Sequence, residues 1–223
     1  MLSLLILLIA TPSVLALDPA DSWLVYAKAS GGGKKVLSVT STWKVPAYPT
    51  TRGGGNAPGW WFGIEPVPAD VLIQPILAYG DGVPEYQIFT GYYNWHNGDW
   101  EQSKVDNVKP GQEVVGTVTL DPSTGLYTQS IKVAGGKPIS TVVTKAQANG
   151  EVFTDVYFVV EHQPNSCSEY PADGKILFEN IAIEWEGSPS KVPAWNVSQF
   201  KPACNSKGSV VNSSSLLFTW DTK

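Results

Sequence analysis

The sequence predicts an all-β fold, two antiparallel sheets packed as a sandwich, and three observations carry that prediction. Two-residue alternation of apolar and polar side chains recurs from end to end, helical periodicity is nearly absent, and Gly, Pro, Asn and Asp separate the alternating runs. So many strands, with no room for crossover helices, leave two packed sheets as the way to bury their apolar faces.

The first clear strand is VLSVTSTWKV, where alternation puts Leu37, Val39, Trp43 and Val45 on one face and Ser38, Thr40, Thr42 and Lys44 on the other. YQIFTGYYNW, QEVVGTVTL, YTQSIKV, VFTDVYFVVE, KILFENIAIEW and SLLFTW follow as further strands. Lys109-Pro-Gly-Gln112 turns the chain into one of them, and Asp121-Pro-Ser-Thr-Gly125 closes a hairpin. His96, within NWHNGDW, is expected in a turn.

Residues 1–16 combine an apolar run, Leu2 to Ala10, with a Val14-Leu15-Ala16 end, the pattern of a secretory signal peptide. The run falls far short of the roughly 20 apolar residues that span a bilayer, so a membrane anchor is not expected. The remaining stretch, 17–223, shows no linker or low-complexity break and is expected to form one secreted, monomeric domain. A net charge of −5 leaves no basic face for phosphate, so nucleic acid is not an expected partner. Cys167 and Cys204 are the only cysteines, and an even count in a secreted chain predicts that they pair. Asn196 and Asn212 open N-glycosylation triplets, which places both at the surface.

Two polar side chains interrupt otherwise apolar strands: Gln74 in VLIQPIL and Glu161 in DVYFVVEHQ. A carboxylate in low dielectric needs partners, and one left partly satisfied is suited to proton transfer. An amide does not titrate and can polarise a carbonyl at any pH. Alternation puts Asp155, Tyr157 and Glu161 on one face of their strand, with Val156, Phe158 and Val160 on the other. Gln74 likewise opposes Ile73 and Pro75, so both candidates are expected on one concave sheet surface. Nine Trp and nine Tyr exceed what a core alone uses, and aromatics on that surface would grip an extended peptide or stack on sugar rings.

Taken in order, SVTSTWKVP, GWWFGIE, VLIQ, YYNW, KPGQEVVGTV and FVVE resemble segments of the fungal glutamic peptidases, or eqolisins, across nearly all of the chain after residue 16. Gln74 and Glu161 lie 87 residues apart, a spacing similar to that family's. The resemblance implies a concanavalin A-like β-sandwich and an acid-active endopeptidase that uses no metal or cofactor and takes a polypeptide substrate. It makes Gln74 and Glu161 the catalytic dyad, Trp61 the cleft tryptophan and Glu65 a nearby acid, with Tyr93, Trp95 and Tyr157 beside the substrate. Glu161 would take a proton from the attacking water, Gln74 would donate to the developing oxyanion, and protonated Glu161 would protonate the leaving amine. Departures surround the site: the family usually has Asp where Glu65 stands, Trp at Phe158, and acids at Tyr157 and Asn94. No basic propeptide is evident between the cleavage site and Trp23.

The alternative is a non-catalytic sandwich that binds peptide or glycan. A retaining glycosidase would need two carboxylates such as Glu65 and Glu161. Serine catalysis is not expected, because the two histidines, His96 and His162, come with no nucleophile-elbow motif. Glu161 and His162 point to opposite faces of a strand and do not make a metal pair.

Overall fold

The computed structural model describes residues 19–51, 58–80, 84–161, 166–188, 194–201 and 203–223. Residues 1–16, expected to be a signal peptide, and His162 lie outside them. In chain order the strands are β1 (Trp23–Ser30), β2 (Val36–Lys44), β3 (Gly59–Pro66), β4 (Val71–Tyr79), β5 (Tyr86–Asn94), β6 (Trp100–Gln102), β7 (Asp106–Val108) and β8 (Glu113–Asp121). They continue with β9 (Leu126–Val133), β10 (Ile139–Val143), β11 (Phe153–Glu161), β12 (Lys175–Trp185), β13 (Asn196–Gln199), β14 (Lys207–Asn212) and β15 (Ser215–Thr219). Among the described residues one short α-helix, α1 (Lys145–Ala148), precedes β11.

Two antiparallel sheets form the sandwich. The first has eight strands in the order β13-β1-β11-β3-β4-β5-β6, with β7 also paired to β5; the second has seven, β10-β9-β8-β2-β12-β15-β14. All six sequence-predicted strand runs beyond VLSVTSTWKV form. The Asp121 turn forms as expected: Gly125 adopts a left-handed φ of 70° and donates to the Asp121 carbonyl, while hydrogen bonds from Ser123 and then Thr124 hold the Asp121 carboxyl below its usual range.

Between the sheets lies an aromatic core. Trp43 of β2 meets Phe62 of β3 and Phe178 of β12, and Phe158 of β11 meets Phe62 and Phe178, all at ring separations between 5.1 and 6.0 Å. Each fully buried Phe contributes about 1.5–3 kcal/mol. Leu37 departs from the expected alternation. The β2–β12 register slips between Ser38↔Glu184 and Val36↔Trp185, so Leu37 is the extra residue of a bulge and Val36 takes the core position.

A second irregularity lies in β4. Its pairing with β3 runs to Trp61↔Ile76 and resumes at Ile64↔Ile73, and between them stands Pro75, which has no N–H to give. The Gln74 N–H donates instead to the side-chain Oε1 of Gln129, a buried residue of β9 in the opposite sheet, at 2.8 Å.

Cys167 and Cys204 are bonded, with Cα atoms 5.5 Å apart, which ties the segment after β11 to the segment after β13. Asn196 and Asn212 are both exposed.

Candidate active site

The face of the eight-stranded sheet that points away from its partner sheet carries a separate apolar cluster: Trp23, Trp61, Leu72, Ile76, Ala78, Phe89, Tyr157 and Val159. Val156, Phe158 and Val160 point into the inter-sheet core, so alternation places Asp155, Tyr157 and Glu161 on this outer face. Gln74 shares parity with Leu72 and Ile76 and lies there too. The two sequence-predicted candidates therefore occupy one face.

Glu161, at the end of β11, is half-buried and held at both oxygens. Ser22 Oγ donates to Oε1 at 2.7 Å and the Trp61 indole Nε1 donates to Oε2 at 2.7 Å. Trp61 is buried, with Trp23 edge-on at 5.1 Å, so it positions Glu161 rather than offering an open cleft wall.

Register separates Glu161 from Gln74, contrary to the dyad expected from sequence. Glu161 pairs with Gly59, which pairs with Ala78, whereas Gln74 lies four residues further along β4. That offset is about 13 Å along the strands and about 10 Å across two strand spacings, so the Cα atoms are about 16 Å apart and the pair does not share one water here. The β11 residue level with Gln74 is Tyr157, which pairs with the intervening Gly63. Tyr157 is itself buried against Trp23 at 5.3 Å, with Lys28 Nζ 4.9 Å from its ring centroid, and presents no open surface to a substrate.

Gln74 is 4% exposed, and its Oε1 meets no hydrogen-bond partner among the described residues. Glycines flank it on both neighbouring strands. Gly91 pairs with it on β5, and an added Cβ on Gly63 of β3 would lie 3.3 Å from the Gln74 Cβ and 2.7 Å from a Leu72 methyl.

The carboxylate that register brings nearest to Gln74 on this face is Glu65. It lies one diagonal step away on β3, a relation that puts Cα atoms about 7–8 Å apart. Glu65 is 0% exposed and accepts a hydrogen bond from the Trp95 indole Nε1 at 3.1 Å; Trp95 in turn packs edge-on against Tyr93 at 4.7 Å. Directly opposite Glu65 on β11 is buried Asp155, which Lys28 neutralises through a 2.6 Å ion pair. Among the described residues no group of three His, Cys, Asp or Glu side chains is placed to hold a metal ion.

The Trp95 segment is pinned from below. The Trp95 N–H donates to the Asp70 carbonyl at 2.9 Å, and His96 Nε2 lies 3.0 Å from the Asp70 carboxylate. His96 is in a turn, as expected. Glu151 also hydrogen-bonds Asp70; burial first, then that bond and the Asp70 charge, push the Glu151 carboxyl above its usual range, and His96 opposes the shift.

Sequence reasoning missed three residues around this centre. Gln129 gave a signal, since it interrupts the inward face of Tyr127 and Ile131 as Gln74 interrupts its own strand. Lys28 stands opposite Ala27 and Ala29 in the β1 alternation and was equally legible. Trp100 gave none, because its strand is three residues long.

No family model and no curated protein matches the chain. Solved structures do. Scytalido-glutamic peptidase with a peptide-based transition-state analogue is 17% identical, the match covering 90% of this chain and 98% of that one, with a TM-score of 0.67. SCP-B, a member of the eqolisin family of peptidases in complex with the tripeptide Ala-Ile-His, is 17% identical over the same shares with a TM-score of 0.64. The chain therefore has the two-sheet fold of the glutamic peptidases.

Proposed function

We propose that this chain is a secreted acid endopeptidase whose cleft crosses the outer face of the eight-stranded sheet at Gln74. One observation carries the reading: a nearly buried amide, flanked by glycines on both neighbouring strands, stands one diagonal step from the buried carboxylate of Glu65. The shared fold supports it, since the two solved peptidases hold a peptide-based analogue and a tripeptide.

In this reading Gln74 donates to the oxyanion that forms at the scissile carbonyl. Glu65, and not Glu161, takes the proton from the attacking water and returns it to the leaving amine. The Trp95 indole must leave Glu65 when the substrate enters, because Glu65 is closed to solvent in the unliganded chain. Glu161, with both oxygens engaged, fixes Trp61 and Ser22 at the far end of the same face.

A second reading, a binder that grips peptide without cleaving it, is favoured by Tyr157, which stands level with Gln74 where the resemblance expects an acid. Hydrolysis of denatured protein by the purified secreted chain, followed between about pH 2 and 6, separates the two. Gln74→Ala and Glu65→Gln are each expected to lower turnover at least about 10²-fold, and Glu161→Gln by less than about tenfold. Loss of activity in Glu161→Gln alone would return the base to Glu161. Peptide binding without cleavage at any pH would make the chain a binder.

A further inference from the structure

Two aromatic residues among those described are exposed, Phe200 and Trp100, and Trp100 belongs to the outer face beside Gln74. Trp100 opens β6, where it pairs with Tyr93 and Gln102 pairs with Gly91. Its ring lies on Gly91: a Cβ added there would sit 2.4 Å from one ring carbon and 2.9 Å from a second. Gly91 is the residue paired with Gln74. A glycine inside a strand costs packing and backbone entropy, and here its place is taken by the indole that approaches it.

The indole is held in place. Phe89 meets it edge-on at 6.5 Å, its Nε1 donates to Gln102 Oε1 at 3.3 Å, and an Ile76 methyl lies 2.9 Å from the same added Cβ. The ring nevertheless leaves the residue 45% exposed. One strand spacing, about 4.8 Å, separates the Gln74 and Gly91 backbones, and an extended peptide advances about 3.4 Å per residue. A polypeptide whose carbonyl sits at Gln74 thus lays a neighbouring side chain on this indole.

We propose that Trp100 is the specificity-determining residue of the cleft, receiving an aromatic or large aliphatic side chain of a polypeptide next to the bond held at Gln74. The proposal rests on the reading that a polypeptide binds at Gln74, and it adds which polypeptide is preferred. Polypeptide is favoured over sugar because the side chains packed against the ring, Phe89 and Ile76, are apolar and suit an apolar side chain.

The test uses peptides identical except for Phe or Ala on either side of the cleaved bond, with KM, kcat and calorimetric Kd measured for the wild type, Trp100→Ala and Trp100→Phe. The wild type is expected to favour the Phe peptide in KM and Kd, Trp100→Ala to reduce that preference at least about tenfold, and Trp100→Phe to restore most of it. An unchanged preference in Trp100→Ala, or equal weakening of both peptides, overturns the proposal. So does loss of oligosaccharide binding in Trp100→Ala with peptide binding intact, which would make the ring a sugar platform. Trp100-dependent binding without hydrolysis leaves the proposal standing while the peptidase reading fails; no binding of either peptide by the wild type ends both.

Discussion

The Gln74 backbone shows how one residue can be fixed by a neighbour far away in sequence. Pro75 removes a ladder donor from a central strand, and the adjacent Gln74 N–H is satisfied by the Gln129 side chain. Gln129→Leu keeps the volume but orphans a buried N–H, and is expected to cost about 1–3 kcal/mol in urea unfolding. Because Gln129 meets the backbone and not the substrate, the same variant is expected to lower kcat more than it raises KM; an unchanged kcat with the stability loss would leave Gln129 a purely structural residue. Residue types and strand parity made Gln74 and Glu161 legible as exceptions and placed them on one face. Their separation along that face was not legible, since register is set by which strands pair, and β3 intervenes between β4 and β11.

At the scale of elements, β8 shows how tightly the sheet beneath the site is seated. A Cβ on Gly116 would come within 2.7 Å of the Phe62 ring, 3.0 Å of the Trp43 ring and 3.1 Å of Pro75. Gly116→Ala is therefore expected to destabilise by about 1–3 kcal/mol through overpacking, measured as a lowered denaturation midpoint with an unchanged m-value. Alternation revealed β2, β5, β8, β9, β11, β12 and β15, but not β3 and β4, which are buried on both faces and so show no period of two. It failed at Leu37, where a bulge shifts the count by one, and at β6 and β7, each three residues long.

For the molecule as a whole, pH and the disulfide are the levers that reach beyond one strand. Glu151 has a folded-state value raised by burial and by its bond to Asp70, so its contribution is fully present below the ordinary glutamate range, about pH 4.3, and is lost as pH rises through the raised value. Glu151→Gln is thus expected to raise Tm at neutral pH and leave it unchanged near about pH 3. A Tm difference that does not vary with pH would remove Glu151 from this account. The Cys167–Cys204 bond spans 37 residues, and replacing both by Ser is expected to cost about 2–4 kcal/mol in reversible unfolding. Cysteine count and the expectation of a secretory leader were enough to predict that bond, whereas the Asp70–Glu151 contact joins segments whose approach only the assembled fold decides. The Gln74 N–H has a further property that ladder amides lack: its acceptor belongs to the other sheet. Ladder amides exchange with deuterium when neighbouring strands part, but this proton exchanges when the two layers move apart. Its protection, followed by NMR as peptide is added, gives a direct gauge of whether occupying the outer face tightens the grip of one layer on the other.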